Sequence, residues 1–185
     1  EPFETGRQLF KSPFYEREVA LGGYFMEAAG WERAHGYAAN EPTLLAKYRD
    51  QIPQRMNEWD SRHFWEVSNA EQLALSDDVG MVNLSHFAIY DIDGPSAEGL
   101  LEYLAVARVG GATQVGKGVY THFLDAKGGI RADLTIVRLS EDCFRVICGG
   151  GTGHRDLVWI KQMAAVRNAD IEIHNRTHQL ATLGL

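Results

Sequence analysis

The chain has few of the features that mark secreted, membrane-spanning or nucleic-acid-binding proteins. Its 185 residues include only two cysteines, too few for the disulfide framework that supports many small secreted domains. It has no apolar run close to the roughly 20 residues that a membrane-spanning helix needs. Lys and Arg number 18 against 25 Asp and Glu, so the net charge is -7, whereas a general nucleic-acid binder carries a basic stripe. We expect neither a nucleic acid nor a membrane as a partner.

The two cysteines, Cys143 and Cys148, lie five residues apart in a predicted strand. Because side chains alternate along a strand, the two thiols should face opposite sides of the sheet and cannot pair locally. Free thiols are typical of proteins from reducing compartments. We therefore expect a cytoplasmic protein, or one of the mitochondrial matrix if the source is eukaryotic.

Apolar residues are plentiful, at 45% of the chain, which is enough for one domain with a sizeable core or for two small lobes. The spacing of apolar residues predicts an N-terminal helix over residues 12–30, weakened by the pair Gly22-Gly23. Residues 31–40 are aromatic and irregular, and residues 41–60 are polar with a short helix. The sequence thus predicts a first segment, residues 1–60, made of a helix and an irregular aromatic and polar stretch.

The remainder, residues 61–185, shows short strands in hairpins between helices. This pattern is typical of an α+β fold with mainly antiparallel sheets and packed helices. Two of its strands, at 80–85 and 87–93, are predicted to pair with each other. The other predicted elements are helices at 66–76, 95–107 and 154–166 and strands at 118–124, 133–139, 143–148 and 170–174.

The most informative segment is a predicted hairpin, in which two apolar strands flank the turn Gly128-Gly129. One carboxylate, Asp133, stands where the second strand is predicted to begin. It either lies in water or accepts a turn amide, or it lies half-buried in a cleft, where it could exchange a proton with a bound nitrogen. Tyr120, in the preceding strand, should lie near Asp133. A ring beside a carboxylate suits a flat heterocycle, although such a tyrosine is as often ordinary core.

A glycine-rich loop, residues 149–153, follows a predicted strand and precedes a predicted helix. This is the context of a phosphate-binding turn, and Glu172 stands at about the right distance along the chain for a ribose-binding acid. However, His154 replaces the third glycine of a G-x-G-x-x-G motif, and there is no Walker lysine. A plain strand-to-helix turn is therefore the favoured interpretation.

The histidines do not form a metal-binding pattern. His174 and His178 have i, i+4 spacing, but the residues between them are not convincingly helical. Zinc needs three or four converging ligands, and no further residue completes the set. His63, among aromatic residues, and His86, at a strand start, suit ordinary hydrogen-bonded positions. We predict no metal site.

Several segments, in order over nearly the whole chain, resemble the folate-dependent aminomethyltransferase family, which includes the T-protein of the glycine cleavage system. The hairpin carries two of them, GVYT at 118–121 and GGIRADLTIVR at 128–138. The others are SPFYEREVALGGYFMEAAGWER (12–33), VGMVNLSHF (79–87), DGP (93–95), FRVICGGG (144–151) and HRDLVWI (154–160). The last two are similar in particular to the dimethylglycine and sarcosine dehydrogenase branch.

The resemblance implies the N-terminal portion of a T-protein-like fold with a tetrahydrofolate site. Asp133 matches the family's essential carboxylate, which faces the reacting nitrogens of the folate. Tyr120 matches the tyrosine that lines the pterin pocket, and other positions that line it in relatives correspond to Phe87, Thr135 and Val137. We therefore expect residues 61–185 to be a folate-binding portion that is truncated at its C-terminus.

The implied function is that of a transferase in one-carbon metabolism. In the flavoprotein relatives, a separate FAD domain or subunit oxidises an N-methyl amine, such as dimethylglycine or sarcosine, to an iminium. The folate-binding domain then takes the methylene unit and forms 5,10-methylenetetrahydrofolate. The implied partners are tetrahydrofolate, a methylated amine and a flavoprotein domain or subunit that holds FAD. The alternatives are a folate-dependent O- or S-demethylase module and a non-catalytic folate-binding or assembly domain.

The chain departs from the family pattern at several positions. Asn83 stands where relatives usually have Asp, and Gln72 stands where they usually have His. Residues 41–60 are longer than the usual link.

Overall fold

The computed structural model describes residues 5–57, 59, 64–110 and 114–185. The contacts divide the chain into two compact units. The first comprises Glu1–Ser85 with Thr182–Leu185, and the second comprises His86–Ala181. The boundary predicted between residues 60 and 61 falls outside the described residues, as does His63.

The first unit combines helices with two small two-stranded antiparallel sheets. Its elements are α1 (Tyr15–Ala20), β1 (Gly23–Ala28), β2 (Trp31–Tyr37), α2 (Glu41–Tyr48), α3 (Trp65–Asp77), β3 (Val82–Asn83) and β9 (Leu183–Gly184), with 3-10 turns at 38–40 and 49–51. β1 pairs with β2, and β3 pairs with β9. Its buried apolar side chains include Tyr15, Trp31, Tyr48 and Val67.

The predicted helix over residues 12–30 is wrong beyond Ala20. Gly22 has a φ of 69°, a backbone conformation that ends the helix and that glycine adopts without a steric penalty. The next residues form β1, which folds back on β2 through Ala29 and Gly30, with φ of 54° and 84°. Two successive positive φ angles mark a type I′ turn, whose twist suits a two-residue hairpin loop.

The aromatic segment predicted to be irregular is mostly the regular strand β2. The alternation of buried and exposed side chains along β2 is hard to recognise in the sequence because one of the buried residues, Glu32, is charged. An isolated acid would be unfavourable in such a position. Arg7 donates to both oxygens of Glu32, each over 2.7 Å, so the charge is compensated. These hydrogen bonds lower the pKa of Glu32. The partner lies 25 residues away in the sequence, which is why the pattern around Glu32 does not indicate a strand.

The second unit is a five-stranded sheet with two helices. Its elements are β4 (Ala88–Asp93), α4 (Ala97–Leu104), β5 (Gly118–Leu124), β6 (Ile130–Arg138), β7 (Cys143–Cys148), α5 (Gly153–Val166) and β8 (Glu172–Asn175). The strand order is β5-β6-β7-β4-β8, and every neighbouring pair is antiparallel. An α+β fold with mainly antiparallel sheets and packed helices is thereby confirmed.

The predicted pairing of residues 80–85 with 87–93 is wrong. β4 is a central strand that pairs with β7 on one side and with β8 on the other. Both of its hydrogen-bonding edges are therefore occupied, and β3 pairs with β9 instead. The alternation of apolar and polar residues along the segment does not show that β4 is a central strand of the sheet.

The core of the second unit lies on one face of this sheet. Alternate side chains of the strands, among them Ile92, Phe123, Ile136 and Val146, pack with residues of α4 and α5. The intervening side chains face the other way, and they include Tyr120, His122, Asp133 and Thr135, as the cross-strand register requires. The candidate site lies on this second face.

Helix α5 ends at Val166, and Asn168, two residues later, has a φ of 49°. The amide of Ala169 donates to the Ala164 carbonyl, and that of Asn168 donates to the Ala165 carbonyl. This pair of bonds is a Schellman motif with asparagine in the left-handed position. Within the described ranges, no helix has the length and apolar character needed to cross a membrane.

Candidate functional site

The hairpin of β5 and β6 presents the candidate carboxylate. Its turn is held by Asp125, whose Oδ1 accepts the amides of Lys127 and Gly129 over 2.8 and 2.9 Å. These amides lower the pKa of Asp125. Asp125 therefore performs the turn-capping role that the sequence left open for Asp133. Because β6 already begins at Ile130, Asp133 is its fourth residue and lies within the strand.

Asp133 forms a hydrogen-bonded pair with Tyr120. The Tyr120 hydroxyl donates to Oδ2 of Asp133 over 2.9 Å. The register explains the contact, since Tyr120 lies opposite Thr135, which places Asp133 diagonally across the two strands. This hydrogen bond raises the pKa of Tyr120. Asp133 is exposed, as the solvent-exposed alternative from the sequence supposes, and it is not half-buried.

An open cleft of about 470 Å³ lies beside this pair. Its walls come from the second unit alone, mainly from β6, the end of β7 and the loop that leads into α5. The side chains that line it include Phe87, Tyr120, Asp133, Thr135, Ile147 and Arg155. Polar and apolar groups are thus mixed, with a carboxylate, a phenol and a guanidinium beside two apolar side chains. Such a surface suits a flat ligand that carries both rings and hydrogen-bonding groups.

The structure brings together most of the residues that the family resemblance implied. Phe87, Tyr120, Asp133 and Thr135 all line the cleft. Val137 lies on the same strand face two residues beyond Thr135, opposite Arg145 and outside the cleft lining.

Sequence reasoning missed Ile147 and Arg155 as lining residues. Ile147 lies directly across from Thr135 in the sheet, and this pairing could have been found only from the register of β6 and β7. Arg155 lies in the first turn of α5, where it donates to the Arg131 carbonyl over 2.7 Å and to the buried Asp156. Its position two residues after the glycine-rich loop was the only local signal.

The glycine-rich loop borders the cleft through Gly149 and Thr152. Two of its glycines are required by close packing within the second unit. A Cβ on Gly150 would lie 1.9 Å from the carbonyl oxygen of His86, and one on Gly153 would lie 2.3 Å from the Cβ of Ala88. The loop is therefore a tightly packed strand-to-helix turn.

The nucleotide-binding alternative also requires Glu172 near this loop, which the sheet does not allow. The loop follows Cys148, which pairs with Ala88 at the first residue of β4. Glu172 pairs with Asp93 at the other end of β4. At roughly 3.3 Å per residue, the two ends are about 16 Å apart. Glu172 therefore cannot act with the loop as a ribose-binding acid.

The histidines and cysteines take other roles. His174 lies on β8, with its Nε2 3.6 Å from Glu172 Oε2, and the ring of His86 meets that of Phe87 edge-on. In the described part of the chain, no three His, Cys, Asp or Glu side chains are grouped so that they could hold a metal ion. Both cysteines are free, and burial raises the pKa of Cys148 to about 12. Its thiol is therefore inert at neutral pH.

With this geometry established, the family can be identified from the sequence match. The family described as the GCVT N-terminal domain matches residues 14–185. The chain belongs to this family. The match includes the whole second unit, the first unit from residue 14 onwards, and every residue of the cleft.

A solved structure shows the same fold as this GCVT N-terminal domain chain. It is the aminomethyltransferase T of the glycine cleavage system from Bartonella henselae, with a TM-score of 0.64 and 20% sequence identity. The match covers 91% of the present chain and 38% of the Bartonella chain. The predicted fold, the N-terminal portion of a T-protein-like aminomethyltransferase, is thus confirmed, and the chain spans well under half the length of that relative.

Proposed function

We propose that this chain forms the pterin-binding part of a tetrahydrofolate-dependent one-carbon transferase. The cleft beside β6 holds the folate, and Asp133 faces its reacting nitrogens. The main support for this proposal is the Tyr120–Asp133 hydrogen bond, which holds the carboxylate in the lining of an open cleft. This chain belongs to the T-protein family, so the cleft is a reasonable folate site.

The residues of the cleft fit a reduced pterin. Its volume, about 470 Å³, lies within the range of roughly 300 to 1,000 Å³ typical of small-molecule sites. Asp133 can accept N–H donors in addition to the Tyr120 hydroxyl, because a carboxylate has about four acceptor positions. Phe87 and Ile147 offer apolar surface to a flat ring. Hydrogen-bond acceptors and ring contacts therefore occur together in one cleft.

Asp133 acts as the proton acceptor of the transfer. Tetrahydrofolate, when bound, supplies the nucleophilic nitrogens that receive the one-carbon unit. The Asp133 carboxylate accepts the proton that such a nitrogen loses, or stabilises the positive charge before the proton leaves. Tyr120 fixes the orientation of the carboxylate through its 2.9 Å hydrogen bond. Thr135, directly opposite Tyr120 in the register, completes this side of the cleft.

The methylene donor is an iminium derived from an oxidised N-methyl amine of the dimethylglycine or sarcosine type, and the product is 5,10-methylenetetrahydrofolate. This choice is supported by residues 144–151 and 154–160, whose sequence is similar to that branch of the family. The iminium reaches the cleft from a flavoprotein domain or subunit that holds FAD. The two free thiols favour a reducing compartment, cytoplasmic or mitochondrial.

A substitution of the carboxylate tests the proposal directly. Asp133→Asn keeps the shape of the side chain but cannot accept a proton. We expect the rate of 5,10-methylenetetrahydrofolate formation, measured with a flavoprotein that oxidises dimethylglycine, to fall by about 100-fold or more. Glu172→Gln is the matched control, because Glu172 is another exposed strand carboxylate of the same sheet and lies away from the cleft.

The outcomes also separate the proposal from its alternatives. Wild-type turnover in Asp133→Asn would remove Asp133 from the reaction and refute the mechanism. Calorimetric titration with 5-formyltetrahydrofolate gives a second measurement. Binding by the wild type without any turnover would indicate a non-catalytic folate-binding domain. Turnover with an O-methyl or S-methyl donor in place of dimethylglycine would indicate a demethylase module.

A further inference from the structure

His122 joins the Tyr120–Asp133 pair, although neither the family motifs nor the cleft lining includes it. Its Nε2 lies 3.5 Å from the Tyr120 hydroxyl oxygen, which is itself 2.9 Å from Asp133 Oδ2. The Tyr120 and His122 rings meet edge-on, with centroids 5.3 Å apart. A carboxylate, a phenol and an imidazole thus form one connected group on the exposed face of the sheet.

The backbone keeps this group in register. His122 is the cross-strand partner of Asp133, and Tyr120 is two residues away on the same strand, so all three side chains share one face. The His122 carbonyl accepts the amide of Val106 over 3.0 Å. His122 is therefore held from both sides, by β6 and by the segment that follows α4.

We propose that His122 is a positioning and proton-relay residue of the transferase, which removes the proton that Asp133 takes from the substrate. The inference rests on the proposed function. A carboxylate that has accepted a proton must lose it again before the next turnover. Tyr120 links Asp133 to an imidazole, the side chain best suited to exchange a proton with water near neutral pH.

The relay conserves protons and charge. Protonated Asp133 gives its proton to the Tyr120 oxygen while the Tyr120 proton moves to Nε2 of neutral His122. The products are the carboxylate, an unchanged phenol and an imidazolium, which then loses a proton to water and returns to the tautomer with an unprotonated Nε2. No bond other than O–H and N–H bonds forms or breaks, and Tyr120 never accumulates as a phenolate.

Charged side chains occur on both of the elements that flank His122. On β6 they are Asp133 and, two residues earlier, Arg131, whose guanidinium lies 4.6 Å from the Trp159 ring centroid. In the segment after α4, Arg108 interacts electrostatically with Glu102. Asp133, reached through Tyr120, is the carboxylate to which His122 is connected by hydrogen-bond geometry.

NMR of ¹⁵N-histidine-labelled protein at a fixed pH tests this connection without any turnover. We expect the ring ¹⁵N resonances of His122 to move in Tyr120→Phe, because the substitution removes the hydroxyl that lies 3.5 Å from Nε2. His174, near Glu172 at the far edge of the same sheet, is the internal control, and its resonances should not move. Unchanged His122 resonances would overturn the proposal.

Kinetics give the second test. His122→Gln can still hydrogen-bond to Tyr120 but cannot carry the proton, so we expect about a tenfold lower kcat with less than a twofold change in the KM for tetrahydrofolate. The rise of kcat with pH that reflects deprotonation of the imidazolium should disappear. His174→Gln should keep the wild-type profile. A wild-type rate and profile in His122→Gln, beside an inactive Asp133→Asn, would overturn the relay and leave the proposed function standing.

Discussion

In the first unit Tyr37 donates to Glu18 over 2.8 Å, and in the second unit Tyr120 donates to Asp133 over 2.9 Å. The two bonds join the same chemical groups at almost the same length. Their surroundings differ, since Glu18 is 6% exposed whereas Asp133 is open to a cleft. Glu18 also accepts from the Ser12 hydroxyl over 3.3 Å and from the Asn83 amide over 3.0 Å.

The comparison shows that bond length does not distinguish a structural carboxylate from a functional one. A buried carboxylate is tolerated when several donors compensate its lost hydration, and those donors leave little capacity for a ligand. Glu18 has this arrangement. Asp133 has one strong hydrogen-bond partner, Tyr120, and its other acceptor positions are accessible. A carboxylate that faces a substrate needs accessible positions of this kind.

The largest expected difference between the two pairs is in stability. Glu18→Ala leaves the donors of Tyr37, Ser12 and Asn83 without their acceptor, so we expect a loss of about 3 kcal/mol in the free energy of unfolding. Urea denaturation followed by tryptophan fluorescence measures it. Glu16→Ala, at an exposed acid on the same helix, is the control and should match the wild type. Equal midpoints for Glu16→Ala and Glu18→Ala would contradict a stabilising role for Glu18.

Matched tyrosine substitutions should separate the two roles. Tyr37→Phe removes one donor from the buried Glu18, and we expect it to cost about 1 to 2 kcal/mol of stability. Tyr120→Phe should leave the urea midpoint unchanged, because Tyr120 is 61% exposed. It should instead slow methylenetetrahydrofolate formation about tenfold by releasing Asp133. Equal destabilisation of the protein by Tyr120→Phe and Tyr37→Phe would contradict this division into a functional and a structural pair.

A smaller, pH-dependent effect is expected at Glu71, which adjoins the buried pair. Burial raises the pKa of Glu71, although its Oε1 accepts the Tyr37 amide and the Asn40 side chain over 2.9 and 2.7 Å. A raised folded-state pKa means that the stability contribution present below the unfolded value, about 4.3, is lost as the pH rises through the folded value.

Glu71→Gln keeps the accepting oxygen but removes this titration. We therefore expect the urea midpoint of the wild type to fall relative to that of Glu71→Gln as the pH rises from about 4 towards neutrality. A constant difference between the urea midpoints of the wild type and Glu71→Gln across this pH range would show that burial does not disfavour the charged form of Glu71. Glu66→Gln, on the same helix and exposed, provides the baseline.

The buried pair also explains one departure from the family pattern. At Asn83, where the family resemblance of the sequence implies Asp, Nδ2 donates to Ser12 over 2.8 Å and to Glu18 over 3.0 Å. An aspartate there would place a second carboxylate against Glu18 and remove a donor. Asn83 therefore supplies a hydrogen-bond donor to the buried Glu18, although the two residues are 65 positions apart.

Local pattern predicted much of the second unit. The strands 118–124 and 143–148 were predicted with the observed bounds, and α5 was predicted within one residue. These elements follow strict alternation or helical spacing between clear turn residues. The first unit was predicted less well, because the type I′ turn at Ala29-Gly30 joins strands whose charged residues depend on distant partners such as Arg7.

The α+β class, the hairpin and the proximity of Tyr120 to Asp133 were determined by the sequence itself, since each depends on residues fewer than about 20 positions apart. The tertiary structure decided that β4 would be central, that Ile147 would lie opposite Thr135, and that Asp133 would be exposed while Glu18 was enclosed. The reason is physical. A carboxylate's hydration and a strand's neighbours are set by groups that are distant along the chain and meet only when the sheets and helices pack.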